Sequence, residues 1–464
     1  STGALTAVGA PVLVGGLNPR SVSVDPSGKF VYVANYGSAN VSAYSIDATT
    51  GALTALAGSP FTAGANPGSV TVDPSGKFLY VTNIGSSDTT VFTLGADGVP
   101  GAARVIAGRN GNQEMAMTRG SSAVRYTPKA AYVANVYSST LSQFNIAASG
   151  RLAPMTTASV TSSQPNPHWV TTNPRGNYLY SGASNGTVGQ YAIGVDGVLN
   201  ALTPSTAALP GGGWSSMVAI DPSGRFAYVP NQLNNNVAQY AVGTDGVLAS
   251  LPTPTVVLAG LQPAYAAVDP TGRFVYVANI AGDSISQFTI NTNGTLAAMG
   301  VPSVLAGDRP NAIAIHPSGR FAYVCNTGSA ANTVSQYAIG TDGALSSIGP
   351  NVVTDNEPLG LAIDPSGRYL YVANRSASTV TQYTIGADGV LAPMGTPSVS
   401  FPGGGPIRIA VDPSGRYAYT SNQFGSSVSQ FSIGTDGALS VLDTAISTGT
   451  DTGPLSIVIT GEIQ

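Results

Sequence analysis

The sequence is built on one segment that recurs nine times. It first occurs as VDPSGKFVYVANYGSANVSAYSID, at residues 24–47 of the 464-residue chain. The aspartate of its first turn, or the residue in its place, returns every 46 to 54 residues, at Asp25, Asp73, Thr127, Asn173, Asp221, Asp269, His316, Asp364 and Asp412. A fixed period of this size predicts an array of small units, each of which buries its apolar faces only against its neighbours. The repeat therefore restricts the fold more than any other feature of the sequence.

Each repeat contains four short runs that read as β-strands. In the first repeat they include RSVSV, KFVYVAN and NVSAYSI, which are rich in β-branched and aromatic residues and bounded by Gly, Asn, Asp, Ser and Pro. The D-P-S-G segments and the later D-G pairs suit tight turns between antiparallel strands. We therefore predict an all-β chain, a β-propeller of four-stranded antiparallel blades.

The nine repeats give no composition break, so we predict one domain over residues 1–464. Residues 1–17 read as a lone outer strand, residues 18–451 as nine repeats, and residues 452–464 as a lone inner strand. Two outcomes are open for the terminal strands. They pair within the molecule, replacing or extending an edge, or they add to the sheet of a second molecule, which would produce self-assembly.

The second strand carries YVAN at residues 32–35 and YVTN at residues 80–83. In these motifs the chain resembles the YVTN-type propeller repeats, and more broadly the propeller-fold lactonases that include bacterial 6-phosphogluconolactonases. The resemblance covers nearly the whole chain. It implies a propeller, and it suggests lactone hydrolysis at the mouth of the central channel.

The resemblance also implies catalytic positions. The family's His-x-His motif matches Asn166 and His168, its Arg-His pair matches Ser216 and Met217, and its Glu matches Gln232. Lactone hydrolysis needs a base for water and donors for the oxyanion. Because only His168 is retained, His168 is the single catalytic candidate, and we do not expect a standard lactonase mechanism.

Loops at the predicted channel mouth supply aromatic and polar side chains. Such a mixture suits a sugar or another small polar ligand, although the aromatics would equally serve to plug a wide channel. The predicted ligand-binding residues are His168, Trp169, Trp214, Gln232, Tyr265, Arg309, Glu357 and Arg408. Arg20 belongs to the loops that enter the inner strands, and Arg375, like Gln232, to those that join the second and third strands.

The composition restricts other functions. Only 9% of the residues are charged and 57 are glycine, which favours a secreted or cell-surface protein. The chain starts on STGALT, in the middle of a repeat, and we interpret this as a leader already removed. Two histidines and the single Cys325 do not make a usual metal site, and we predict no cofactor and no metal. His316 replaces a turn aspartate and is predicted to cap that turn.

Two further features carry weaker predictions. Basic residues that follow the turn glycines should form a rim of alternating charge, which we expect to be a solvated surface and not a nucleic-acid site; they are Lys29, Lys77, Lys129, Arg225, Arg273, Arg320, Arg368 and Arg416. Residues 110–119 lengthen one repeat interval, either as a functional loop or as a neutral insertion.

The sequence thus predicts a secreted propeller that acts as a non-catalytic binding or structural protein. Its partner would be a glycan, a surface protein or a second copy of the chain, and no membrane span is expected. The alternative is a lactonase-type hydrolase with a rebuilt site around His168, Trp169, Trp214 and Gln232.

Overall fold

A computed structural model describes residues 12, 14–26, 28–47, 50–73, 76–95, 97–107, 126–215, 217–328 and 332–463. Within these residues the chain is all-β, as predicted, with one 3-10 turn, Ile280–Gly282. Seven of its antiparallel sheets have four strands, and in the other two the outer strand is divided into two short strands. No helix in this part of the chain has the length and hydropathy needed to span a bilayer. The insertion at residues 110–119, most of the N-terminal strand and Ser216 lie outside the described residues.

The chain divides into two compact units, residues 1–124 and 125–464, where the repeat led us to expect one domain. The first unit contains blades 1 and 2. Blade 1 comprises Pro19–Val24, Phe30–Asn35, Asn40–Ile46, Leu53–Ala55 and Phe61–Thr62, and blade 2 comprises Pro67–Val72, Phe78–Asn83, Asp88–Leu94 and Pro100–Ala107.

The second unit contains seven sheets, blades 3 to 9. Blade 3 comprises Pro454–Ile463, Tyr126–Asn135, Thr140–Ile146 and Leu152–Thr161. Blade 4 comprises Pro167–Thr172, Tyr178–Ala183, Thr187–Ile193 and Leu199–Ala208, and blade 5 comprises Ala219–Ile220, Phe226–Asn231, Asn236–Val242 and Leu248–Val257. Blade 6 comprises Pro263–Val268, Phe274–Asn279, Ser284–Ile290 and Leu296–Leu305. Blade 7 comprises Pro310–Ile315, Phe321–Asn326, Thr333–Ile339, Leu345–Ser347 and Val352–Val353. Blade 8 comprises Pro358–Ile363, Tyr369–Asn374, Thr379–Ile385 and Leu391–Ser400, and blade 9 comprises Pro406–Val411, Tyr417–Asn422, Ser427–Ile433 and Leu439–Ser447.

The C-terminal strand closes the second unit into a seven-bladed ring. Pro454–Ile463 is an inner strand, as expected, but it is not unpaired, because it lies antiparallel to Tyr126–Asn135 as the inner strand of blade 3. It also contacts the inner strands of blades 4 and 9 on either side. Of the two outcomes considered for this strand, pairing within the molecule is therefore the one observed. The closed array has seven blades and not nine.

Two side chains repeat around the ring and join each blade to the next. The tyrosine of the second strand donates its hydroxyl to a glycine carbonyl in the next blade, as Tyr276 does to Gly343 at 2.7 Å and Tyr419 does to Gly150 at 2.7 Å. Burial raises the pKa of these tyrosines far above the ordinary value, so the hydroxyls stay protonated and able to donate.

The second joining side chain is a buried glutamine in the third strand. Its amide group donates to a carbonyl of its own outer strand at 2.7–3.2 Å. Its oxygen accepts the N–H that opens the next blade's outer strand at 2.5–2.7 Å. The seven ring residues are Gln143, Gln190, Gln239, Gln287, Gln336, Gln382 and Gln430. Blades 1 and 2 have Ala43 and Val91 at this position.

The D-P-S-G turns form as the sequence predicts. In blade 5, Asp221 accepts hydrogen bonds from the backbone N–H groups of Arg225 and Phe226, each at 2.7 Å. The Arg225 guanidinium lies 5.1 Å from the Phe226 ring centroid and donates through Nε to Ser223 at 3.1 Å. The turn aspartates thus bind backbone, and the turn arginines stack on aromatic rings.

Candidate functional site

The inner strands of the ring place two successive residues at the channel mouth. The strand pairing shifts register just after each opening proline, for example between Pro167 and Trp169, and between Pro406 and Arg408. Such a bulge re-aims side chains at the end of a strand. The first and second residues after the proline therefore provide the side chains of the mouth.

A cavity of about 210 Å³ lies at this mouth. Five of the predicted ligand-binding residues line it together, namely His168, Trp169, Trp214, Gln232 and Arg408. Tyr265 stands behind them, with its ring edge-on to Trp169 at 5.1 Å between centroids. The remaining lining residues are Ala264, Ile280, Asn311, Ile407 and Leu455.

Arg408 is the cation of this cavity. Its guanidinium lies 4.5 Å from the Trp169 ring and 5.7 Å from the Tyr265 ring, so its flat face is covered by aromatic groups. Nη2 donates to Asn311 Oδ1 at 3.2 Å and Nη1 to the Ile407 carbonyl at 3.3 Å. Nε is buried and has no hydrogen-bond partner among the described residues.

No described carboxylate forms a salt bridge with Arg408. Burial lowers the pKa of its guanidinium, but arginine stays protonated in proteins. Gly360 allows the inner strand of blade 9 to pack closely against that of blade 8, because a Cβ at Gly360 would lie 2.6 Å from the Ile407 carbonyl and 2.9 Å from Arg408 Cα. The cavity therefore holds a positive charge that the described residues around it do not neutralise.

Among the described residues that line the cavity, His168 is the only titratable base. Its ring is edge-on to Trp214 at 6.3 Å between centroids, and it makes no hydrogen bond with a described residue. Burial lowers the pKa of His168, so the imidazole is neutral at neutral pH and can accept a proton. Gln232 is held beside Trp214, because its backbone N–H donates to the Trp214 carbonyl at 3.1 Å.

The positions matched to the family's other catalytic groups do not supply a second base. Asn166 has φ of +50° and forms the turn before the strand, with its N–H bonded to Ser139 Oγ at 3.1 Å. Met217 is buried, and its sulfur accepts the N–H of Ala266 at 3.2 Å. The positions around His168 thus lack the partners that the resemblance to the family leads us to expect.

Two predicted ligand residues, Arg309 and Glu357, do not line the cavity. Both have positive φ in the turns before their strands. Glu357 forms a salt bridge with Arg375, whose Nε lies 2.9 Å from Oε2, and also accepts the hydroxyl of Ser376. Burial would raise the pKa of Glu357, but hydrogen bonds from Arg375 and Ser376 and the charges of Arg375 and Arg309 lower it overall. Arg20 belongs to the first unit, where it stacks on Tyr36 at 5.0 Å.

His316 and Cys325 are structural. Nδ1 of His316 accepts the N–H of Ser318 at 3.0 Å, and Nε2 lies 2.7 Å from the Gly367 carbonyl, so it caps its turn as predicted. Cys325 is buried. The described part of the chain contains no cluster of three or more metal-ligating side chains.

The sequence analysis missed Asn311, Ala264, Ile280, Ile407 and Leu455 as cavity residues. Four of them directly follow the proline or its neighbouring turn at the start of an inner strand, as His168 does. Aligning the repeats on that proline would have found these four. Ile280 occupies the loop position of Gln232, after the asparagine that ends the second strand.

Comparison with known proteins agrees with the fold. The family model described as "Lactonase, 7-bladed beta-propeller" matches residues 1–63, 130–251, 198–304 and 300–404, which together exceed half of the chain. No curated protein matches the sequence significantly.

Solved structures give the same architecture. The periplasmic gluconolactonase PpgL of Pseudomonas aeruginosa superposes with a TM-score of 0.62 at 18% identity, over 73% of this chain and 100% of its own. A protein from Lactobacillus plantarum superposes with a TM-score of 0.61 at 19% identity, over 72% of this chain and 100% of its own. With the repeat, the seven-bladed ring and the family match in agreement, the chain belongs to the seven-bladed β-propeller lactonase family.

Proposed function

We propose that the ring binds a small sugar lactone or the corresponding hydroxy acid in the mouth cavity, and that it hydrolyses the lactone with His168 as general base. The observation that carries this proposal is that a neutral imidazole and an unneutralised guanidinium, His168 and Arg408, line the same cavity. Family membership supports the same class of reaction.

The chemistry follows from the two groups. His168 takes a proton from a water molecule as its oxygen bonds to the lactone carbonyl carbon, and the carbonyl oxygen becomes negative. Arg408, which lines the same cavity, stabilises that oxyanion. The ring C–O bond then breaks, and the imidazolium returns its proton to the leaving oxygen. The product is the open hydroxy acid, whose carboxylate Arg408 also attracts.

A second candidate is binding of the same ligand class without turnover. Asn166 and Gln232 stand at two positions matched to the family's catalytic His and Glu, which favours a site that retains affinity without the full catalytic set. Trp169 and Trp214 still offer apolar faces for a sugar ring.

The test is hydrolysis of a panel of sugar lactones, measured through the proton that the product acid releases. We expect turnover that His168→Ala lowers by about 10²-fold or more, with an acidic limb below the ordinary histidine pKa of about 6.5, because burial lowers the pKa of His168. His316→Asp is the matched control, since it restores the usual turn residue and should leave the rate unchanged.

Absence of turnover together with calorimetric binding of the hydroxy acids, weakened by Arg408→Gln, would support the binding role and reject catalysis. Absence of both would reject the site itself.

A secreted or cell-surface setting is also our proposal, supported by the low content of charged residues. Self-association by strand addition now depends on the N-terminal residues 1–17, because the C-terminal strand is paired within the ring.

A further inference from the structure

Two aromatic side chains stand exposed on neighbouring loops of the ring. Tyr137 and Phe424 are each 66% exposed and follow the second strands of blades 3 and 9. These blades are adjacent, because the C-terminal strand of blade 3 contacts the inner strand of blade 9. Gln232 and Ile280, which line the cavity, occupy the same kind of loop in blades 5 and 6, so the two aromatics share the face of the ring that carries the mouth.

Both rings are held in place by glycine. A Cβ at Gly405 would lie 2.5 Å from the Phe424 ring, and a Cβ at Gly453 would lie 2.4 Å from the Tyr137 ring. Both glycines have positive φ, at a turn position where other blades carry Asn166 or Glu357. The aromatic rings therefore pack on bare backbone, and only glycine permits this contact.

The loops themselves are fixed to the backbone beneath them. The N–H of Tyr137 donates to the Thr452 carbonyl at 3.0 Å, and the N–H of Gln423 donates to the Gly405 carbonyl at 2.9 Å. Rigid aromatic groups lose little conformational entropy when they contact a ligand. The two aromatic rings are therefore held in an exposed position before any ligand binds.

A chain of polar side chains runs beside the two rings. Gln423 donates through Nε2 to the Tyr137 hydroxyl at 3.1 Å and accepts from Arg375 Nη1 at 3.3 Å. Arg375 lies 5.9 Å from the Phe424 ring and is paired with Glu357. Glu357 keeps its charge at neutral pH, because the pairing described above lowers its pKa. Tyr137, Gln423, Arg375 and Glu357 together provide hydrogen-bond donors and acceptors, and their two charges cancel.

We propose that Tyr137, Phe424, Gln423, Arg375 and Glu357 form a platform that binds a neutral saccharide. A sugar ring has an apolar C–H face that fits an exposed aromatic ring, and equatorial hydroxyls that fit planar amide, guanidinium and carboxylate groups. The neutralised Arg375 disfavours an anionic ligand, in contrast to the unpaired Arg408 of the cavity. This platform stands apart from the proposed lactone chemistry and does not depend on it.

The test uses neutral oligosaccharides, namely cello-, laminari-, malto- and xylo-hexaose, in calorimetry with the full chain. We expect binding of at least one, weakened about tenfold or more by Phe424→Ala and by Tyr137→Ala. Tyr137→Phe keeps the ring and should lose less. Val257→Ala removes another exposed apolar side chain, 78% exposed on the outer strand of blade 5, and is the matched control that should bind normally. Melting curves establish that each variant is folded.

His168→Ala separates this proposal from the previous one, because it should lower hydrolysis by about 10²-fold or more and leave hexaose binding unchanged. The platform proposal is overturned by absence of binding to all four hexaoses, by equal affinity in the folded alanine variants, or by preference for an anionic oligosaccharide such as oligogalacturonate. Binding only to a protein partner would overturn it as well.

Discussion

The buried glutamine of each ring blade gives a prediction whose size follows from the structure. Gln287 is fully buried. It donates to the Val301 carbonyl of its own blade at 2.9 Å and accepts the Leu345 N–H of the next blade at 2.7 Å. Gln287→Leu keeps the volume but leaves the buried Leu345 N–H and the part-buried Val301 carbonyl without these partners. At about 1–3 kcal/mol for the buried N–H, and little for a carbonyl that water can reach, the change should cost about 1–3 kcal/mol of unfolding free energy.

Thermal unfolding followed by near-ultraviolet circular dichroism measures this cost. A unit of this size shifts its midpoint by about 1.4 °C for each kcal/mol, so the variant should melt about 1.5–4 °C lower. Gln423→Leu is the matched control, since Gln423 bonds to side chains at the surface and its loss should change the midpoint by about 1 °C or less.

Gln287→Glu tests the reasoning in a second way. An introduced carboxylate accepts the Leu345 N–H but cannot donate to Val301 unless it is protonated. Burial raises its folded-state pKa above the unfolded value, so the variant gains stability relative to the wild type as pH falls through the raised pKa toward the unfolded one. A leucine variant that melts with the wild type, or a glutamate variant without this pH dependence, would refute the role given to the glutamine ring.

Three further changes test other parts of the fold. Burial raises the pKa of the Cys325 thiol to about 11, so a thiol reagent at pH 8 should react only after denaturation, and rapid reaction of the native protein would contradict its burial. Deleting residues 454–464 should abolish the cooperative transition of the ring and induce dye binding to exposed apolar surface, since blade 3 loses its inner strand; an unchanged melting curve would count against this closure. Asp221→Ala should cost about 1–3 kcal/mol through two lost bonds to backbone N–H groups, whereas Asp221→Asn should be nearly neutral, because Asn173 makes the same bonds in blade 4; equal denaturation midpoints for the two variants would argue otherwise.

Much of the candidate site could be predicted from the sequence, because the sequence repeats. Once the strands are aligned, His168, Trp169, Trp214, Gln232 and Arg408 fall at the ends of strands or in loops that meet at the channel mouth, and the structure brings them to one cavity. The sequence did not predict that Arg309 and Glu357 lie outside the lining of that cavity. Both hold left-handed turn conformations one position before the proline, and this single step in register decides whether a side chain lines the cavity.

The sequence by itself determined the strands, the turns and the all-β propeller architecture, because alternation, Asp-Gly turns and a fixed period act over a few residues. The glutamine of the third strand even separates the seven ring repeats from the first two, where Ala43 and Val91 stand. Only the tertiary structure decided that seven blades close, with Pro454–Ile463 pairing against Tyr126–Asn135. The physical reason is that closure joins two strands far apart in sequence, and no local pattern specifies which open edge a strand will fill.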